Sequence, residues 1–219
     1  TARNIKAMGF KSQRFWISLD SMFSIDENDE PHVIQSYYKI QRDYVSKCCN
    51  AGIKLGLVMF SSFATPYGVH YDNGYSVPDP EEDPELYGRW LNVNGRCAAK
   101  LKELFPEFNV FEPGNEPDFA NASCIHKDGY IWMGDYGANV DYLFNDEVKA
   151  NIILDLCYYV RKYVKEVDPT TRVSIPGLTN LDTTPDFLDT MYRRIESKTL
   201  PYGTEYSDTE PDHYFDVLN

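Results

Sequence analysis

Phe111-Glu112-Pro113-Gly114-Asn115-Glu116-Pro117-Asp118 places an Asn-Glu pair between a short apolar run, Val110-Phe111, and a loop broken by proline. A solvated carboxylate needs no such setting. Pro117 locks φ on one side, and Gly114 on the other admits conformations closed to other residues, a pairing that suggests a backbone held in one shape. The stretch reads as the point where a strand hands over to a loop.

The same alternation recurs along the chain. Apolar runs stand at Phe15 to Leu19, Ile53 to Phe60, Phe108 to Phe111, Val173 to Pro176 and Tyr214 to Leu218. Continuous runs of this length suit strands buried on both faces, as in a parallel sheet. Between them the spacing predicts helices over 33–50, closed by Ala51-Gly52, over 86–104, over 147–167, stopped by Asp168-Pro169, and over 185–195, with Thr184 as cap. Strand and helix alternating over 219 residues make one α/β domain, 1–219. Links from helix to strand are short, whereas 61–85 and 112–146, which lead from strand to helix, are long. In a barrel or a doubly wound sheet those long links build the site, so Glu116 lies on the functional side of either.

Composition narrows the function. Acidic residues number 34 against 21 basic ones, a net charge of −13, which disfavours nucleic acid and anionic membranes as partners. No apolar run approaches the roughly 18 residues of a membrane helix. Five cysteines at spacings that match no zinc or redox motif read as buried free thiols. They favour a reducing, cytoplasmic setting over the alternative of secretion. No phosphate-binding glycine loop, Gly-x-Ser-x-Gly elbow or His-Glu-x-x-His motif occurs, so neither a cofactor nor a metal is expected. Asp26 to Glu30 lacks the glycine and closing glutamate of a calcium loop. The acidic stretch Pro78 to Pro84 reads as a solvated loop.

Gly114-Asn115-Glu116-Pro117 after a strand resembles the Asn-Glu-Pro motif that ends the fourth strand of clan A glycoside hydrolases, most like family 39, with families 5 and 30 as neighbours. Ser12-Gln13-Arg14-Phe15-Trp16 resembles the clan's second strand, Ala51 to Val58 the joint into its third, and Asp212 to Asn219 the start of its sixth. The resemblance implies a (β/α)8 TIM barrel of which the first, seventh and eighth strands lie outside the given sequence. The chain therefore reads as an internal portion of a longer protein. The resemblance further implies that Glu116 is the general acid/base of a retaining glycosidase. Asn115 would bind the 2-hydroxyl of the sugar, and Arg14 would support the catalytic carboxylates.

Such chemistry needs a carboxyl that protonates a poor leaving group and a second one about 5–5.5 Å away as nucleophile. In the clan the second is a glutamate on the seventh strand, and no carboxylate of this chain takes that place by context. Glu112, upstream of the motif, does not fit it. A carbohydrate-binding barrel that has lost its nucleophile is the alternative. Tyr67 and His70, after the third strand, Trp132, in the long link after the motif, and Asn180, after the fifth, are further candidates to line a sugar site. A lone histidine is more often structural, and Trp132 suits loop packing equally well. The expected partner is a carbohydrate; oligomeric state is not legible.

Overall fold

The structure is a computed structural model that describes residues 2–60, 67, 69–71, 74–114, 123–127, 130–134, 146–178, 184–196 and 211–218. In chain order its elements are α1 (Ala2–Ala7), β1 (Ser12–Ile17), α2 (Leu19–Met22), β2 (Phe23–Ile25), β3 (Pro31–Val33) and α3 (Gln35–Asn50). They continue with β4 (Lys54–Phe60), β5 (Val69–Tyr71), β6 (Gly74–Pro78), α4 (Pro84–Leu104) and β7 (Val110–Pro113). The remainder are β8 (Ser123–Lys127), β9 (Tyr130–Gly134), α5 (Asp146–Val167), β10 (Arg172–Val173) and α6 (Thr184–Glu196).

Strands β1, β4, β7 and β10 form one sheet in that order, all parallel, and Val217 adds a parallel bridge to Ser174 just past β10. Sequential order decides between the two architectures left open above. A doubly wound sheet reverses its order at a switch point, whereas a barrel keeps it. The chain is thus an arc of a (β/α)8 barrel.

The register separates the two faces of the arc. Phe15, Val58, Phe111 and Val173 stand level across the four strands, and all are buried. They face the helical layer, where α3 packs on β4, and α5 on β7, β10, α4 and α6. The alternate rows, Arg14–Leu57–Val110–Arg172 and Trp16–Met59–Glu112, belong to the inner face of the barrel. Phe108 reinforces the outer layer, with its ring 5.4 Å from Phe15 and 5.2 Å from Phe105.

The helices follow local signals. Gly52, at φ +73, ends α3 in a conformation that a side chain disfavours. Asp83 caps α4 by accepting from the Leu86 amide at 2.9 Å, and Pro84 occupies the first turn. Of the stretch from Pro78 to Pro84, Glu81 to Pro84 are exposed as expected of a solvated loop, whereas Asp79 is buried and accepts from the Glu81 amide. Thr184 lies within α6 rather than capping it. Cys48, Cys97 and Cys157 are buried free thiols, as expected; Cys49, on the outer side of α3, is exposed.

The largest departure from expectation lies in the two long links. They hold four strands, which pair as an antiparallel sheet in the order β5-β6-β9-β8. Lys127 at the end of β8 pairs with Tyr130 at the start of β9. The central pairing, β6 with β9, joins the link after β4 to the link after β7. A smaller hairpin, β2–β3, follows β1.

At the opposite end of the arc, buried Lys102 donates to the carbonyls of Pro106 and Phe108 and pairs with Asp168 at 3.0 Å. These contacts join the ends of α4 and α5 to the start of β7. Hydrogen bonds from the Thr170 hydroxyl and amide, and then from Lys102, pull the Asp168 carboxyl from its ordinary 3.8 to about 2. A carboxyl depressed on folding contributes stability that is present above its unfolded value and is lost as pH falls through the folded one. Stability is therefore expected to decline between about pH 4 and pH 2. In Asp168→Asn that part of an acid titration, followed by circular dichroism, should flatten; an unchanged curve would refute this account.

Candidate active site

The described part of the site centres on Glu112 and on Arg14, which pairs with it. Phe111 faces the helices, so Glu112, the next residue, projects to the inner face, where its side chain is fully buried. Arg14 Nε donates to Glu112 Oε2 at 2.9 Å, and Arg14 Nη2 donates to Oε1. The Gly177 amide, past the end of β10, donates to Oε1 at 2.7 Å. Donors thus meet both oxygens, which suits a group that holds strands together and not one that delivers a proton. Arg14 keeps 42% of its side chain exposed on the inner face. Below it a groove of about 600 Å³ runs between Ser12, Lys54, Gly56 and Gly177.

Pro113 and Gly114 follow Glu112, and Gly114 has φ +92. An L side chain there meets the neighbouring carbonyl, a cost of about 1–2 kcal/mol. Gly114→Ala should lower the unfolding free energy by about that amount. A denaturant titration that matches the parent chain would show that the bend is not needed.

Arg14 is on the inner face, and the carboxylate it holds is Glu112. Asn115, Glu116 and Asn180 lie outside the described residues, as do the side chains of His70 and Trp132. The backbone positions of the last two are informative. His70 is level with Tyr75 and Met133, whereas Trp132 is level with Ser76, in the adjacent row. Adjacent rows of a strand belong to opposite faces, so these two positions do not share one face of the antiparallel sheet.

Tyr67 is 7% exposed. Its hydroxyl donates to Asp29 Oδ1 and accepts from Arg89 Nη2 at 2.6 Å, while the guanidinium lies 4.9 Å from the ring centroid. Arg89 also pairs with Asp29 at 2.9 Å. Burial, followed by the adjoining Asp29 carboxylate, pushes the phenol up to about 12. These contacts anchor the link after β4 to the β2–β3 hairpin and occupy the hydroxyl.

Sequence reasoning passed over two features. Glu112 was set aside as a nucleophile, although its alternation with Phe111 marks it as an inward carboxylate. Trp16, 53% exposed, is level with Glu112 on the same face. Among the described residues no group of three or more His, Cys, Asp or Glu is placed to hold a metal. No helix among them is long and apolar enough to cross a membrane.

No family model matches the chain, and no curated protein matches it in sequence. Solved structures share its fold. A trimodular endoglucanase of subfamily GH5_4 superposes with a TM-score of 0.53 at 13% identity, over 92% of this chain and 32% of that one. A broad-specificity GH5-4 endoglucanase from Clostridium acetobutylicum gives 0.52 at 12% identity, over 87% and 49%. The full-length tri-modular endo-β-1,4-glucanase B from Bacillus halodurans gives 0.50 at 12% identity, over 90% and 31%. The chain spans 31–49% of those chains, and at these identities the likeness is one of fold. These neighbours are glycoside hydrolases. Two are named as family 5, and the closer resemblance to family 39 gains no support from them.

Proposed function

We propose that this chain is the part of a retaining clan A glycoside hydrolase that carries the acid/base residue, and that it acts on a polysaccharide. The observation behind this reading is the end of β7 at Pro113, followed by a left-handed Gly114 that directly precedes Asn115-Glu116 in the sequence. That strand belongs to an arc whose fold is shared with endoglucanases. The carboxyl ends of barrel strands are where such enzymes assemble their chemistry.

In this mechanism Glu116 protonates the glycosidic oxygen as its bond breaks, while a glutamate beyond the given chain attacks the anomeric carbon. Glu116 then takes a proton from the water that releases the sugar. Asn115 holds the 2-hydroxyl, where a hydrogen bond that strengthens in the transition state contributes to the rate. Arg14 reaches the same site through Glu112. Trp132 and Asn180, with His70 on the other face of the antiparallel sheet, are the remaining candidates for sugar contacts. The endo-acting neighbours suggest an internal cut in a β-1,4-linked glucan. Proton NMR of products released from such a glucan tests the reading, with retention of anomeric configuration as the expected result. Inversion would defeat it.

One observation favours a second reading. Among the described residues of the parallel arc, Glu112 is the one carboxylate on the inner face, and its oxygens are occupied. A barrel with no further carboxylate would bind carbohydrate without cutting it. Affinity electrophoresis in a β-glucan gel without product release would select that reading.

A further inference from the structure

We propose that Glu112 is a positioning residue for the acid/base step, an inference that rests on the reading of Glu116 above. Its donors come from two other strands of the arc: Arg14 on β1, and Gly177 past the end of β10. Strand β4 lies between β1 and β7, so the Arg14–Glu112 pair crosses two strand spacings, roughly 9–10 Å. One buried carboxylate therefore fixes the relative heights of three strands at their carboxyl ends.

Only Pro113 and Gly114 separate this tie from Asn115-Glu116 in the sequence; proline locks φ at the first, and the second takes a left-handed φ that glycine admits. Holding Glu112 therefore fixes where the chain stands at Gly114, two residues before Glu116. A general acid tolerates little error, since a misplacement of about 1 Å can cost on the order of 10²-fold in rate. Glutamine at 112 keeps the shape but turns one acceptor into a donor aimed at Arg14 or Gly177, which loosens the tie without emptying the space.

The effect should appear selectively in the step that needs protonation. A sugar leaving group requires the acid, whereas an activated nitrophenyl leaving group departs largely unaided. The measured quantity is the ratio of kcat/KM on a cello-oligosaccharide to kcat/KM on the matching dinitrophenyl glycoside, in the intact enzyme, because kcat/KM reports the step in which the leaving group departs. Glu112→Gln is expected to lower that ratio by about tenfold or more, with KM on the oligosaccharide little changed. Arg14→Lys, which keeps the charge but loses the two-pronged contact, should lower it in the same direction and covers the case in which Glu112→Gln fails to fold.

A purely structural role would lower thermal stability and leave the ratio where it was. That result, in a folded variant, overturns the proposal. Glu116→Gln is the control that separates the two levels. If it shows no dependence on the leaving group, the reading of Glu116 falls and this inference falls with it. If it shows a strong dependence and Glu112→Gln shows none, only the positioning role is refuted.

Discussion

Glu116→Gln is expected to lower kcat/KM on a substrate with a sugar leaving group by about 10²–10⁴-fold, the range one general acid–base group supplies. In free energy this is about 3–5 kcal/mol of transition-state stabilisation, at 1.36 kcal/mol per tenfold. Three further signatures should accompany the loss. A dinitrophenyl glycoside should still form its glycosyl-enzyme, because the phenolate leaves without a proton. The alkaline limb of the pH–rate profile, which records deprotonation of the acid, should disappear. With Glu116→Ala, added azide should restore turnover and yield a glycosyl azide of retained configuration, since a small anion enters the vacated space and needs no base. Activity within threefold of the parent on an unactivated glucan would refute the assignment. Asn115-Glu116 would then be a turn that happens to end a strand.

The second large effect concerns stability. Arg14→Ala strips two hydrogen bonds from a carboxylate with no exposed surface, leaving, among the described residues, the Gly177 amide to hold it. Breaking a buried pair from one side costs about 3–5 kcal/mol, because the remaining charge lacks both partner and water. Arg14 is partly exposed, so water entering the space it vacates places the expectation at the lower end, about 3 kcal/mol. Replacing both partners is a different experiment. Arg14→Met with Glu112→Leu removes the charges together, and much of the loss should be recovered. Denaturant midpoints for the two single variants and the double variant give the coupling directly. If Arg14→Met and Glu112→Leu are additive in the double variant, the pair is not a unit.

The sequence made some levels of this structure legible and hid others. Helix α3 was expected from 33 and begins at Gln35, because Val33 pairs with Phe23 in a hairpin. Helix α4 begins two residues earlier than periodicity suggested, since Asp83 and Pro84 form its cap ahead of the first apolar position. Those errors are local and small. The antiparallel sheet was missed for a different reason: Ser76 pairs with Trp132, a partner more than fifty residues away, and no pattern within either segment announces it. The tie between Arg14 and Glu112 spans 98 residues. Each residue had been noted by itself, but only the order of the strands brings them together. Periodicity reports which face a residue takes, and contacts across the barrel depend on which strand comes next.

The pairing of β6 with β9 also bears on how this scaffold can vary. Two links that leave different strands of the barrel are hydrogen-bonded into one sheet. Neither can be lengthened, shortened or exchanged by itself without stranding the partner's backbone groups at a new edge. For recombination, natural or in the laboratory, they form a single heritable cassette. A chimaera that imports 61–83 together with 115–145 from one donor keeps its ladder intact, whereas one that splits them between donors must rebuild it residue by residue.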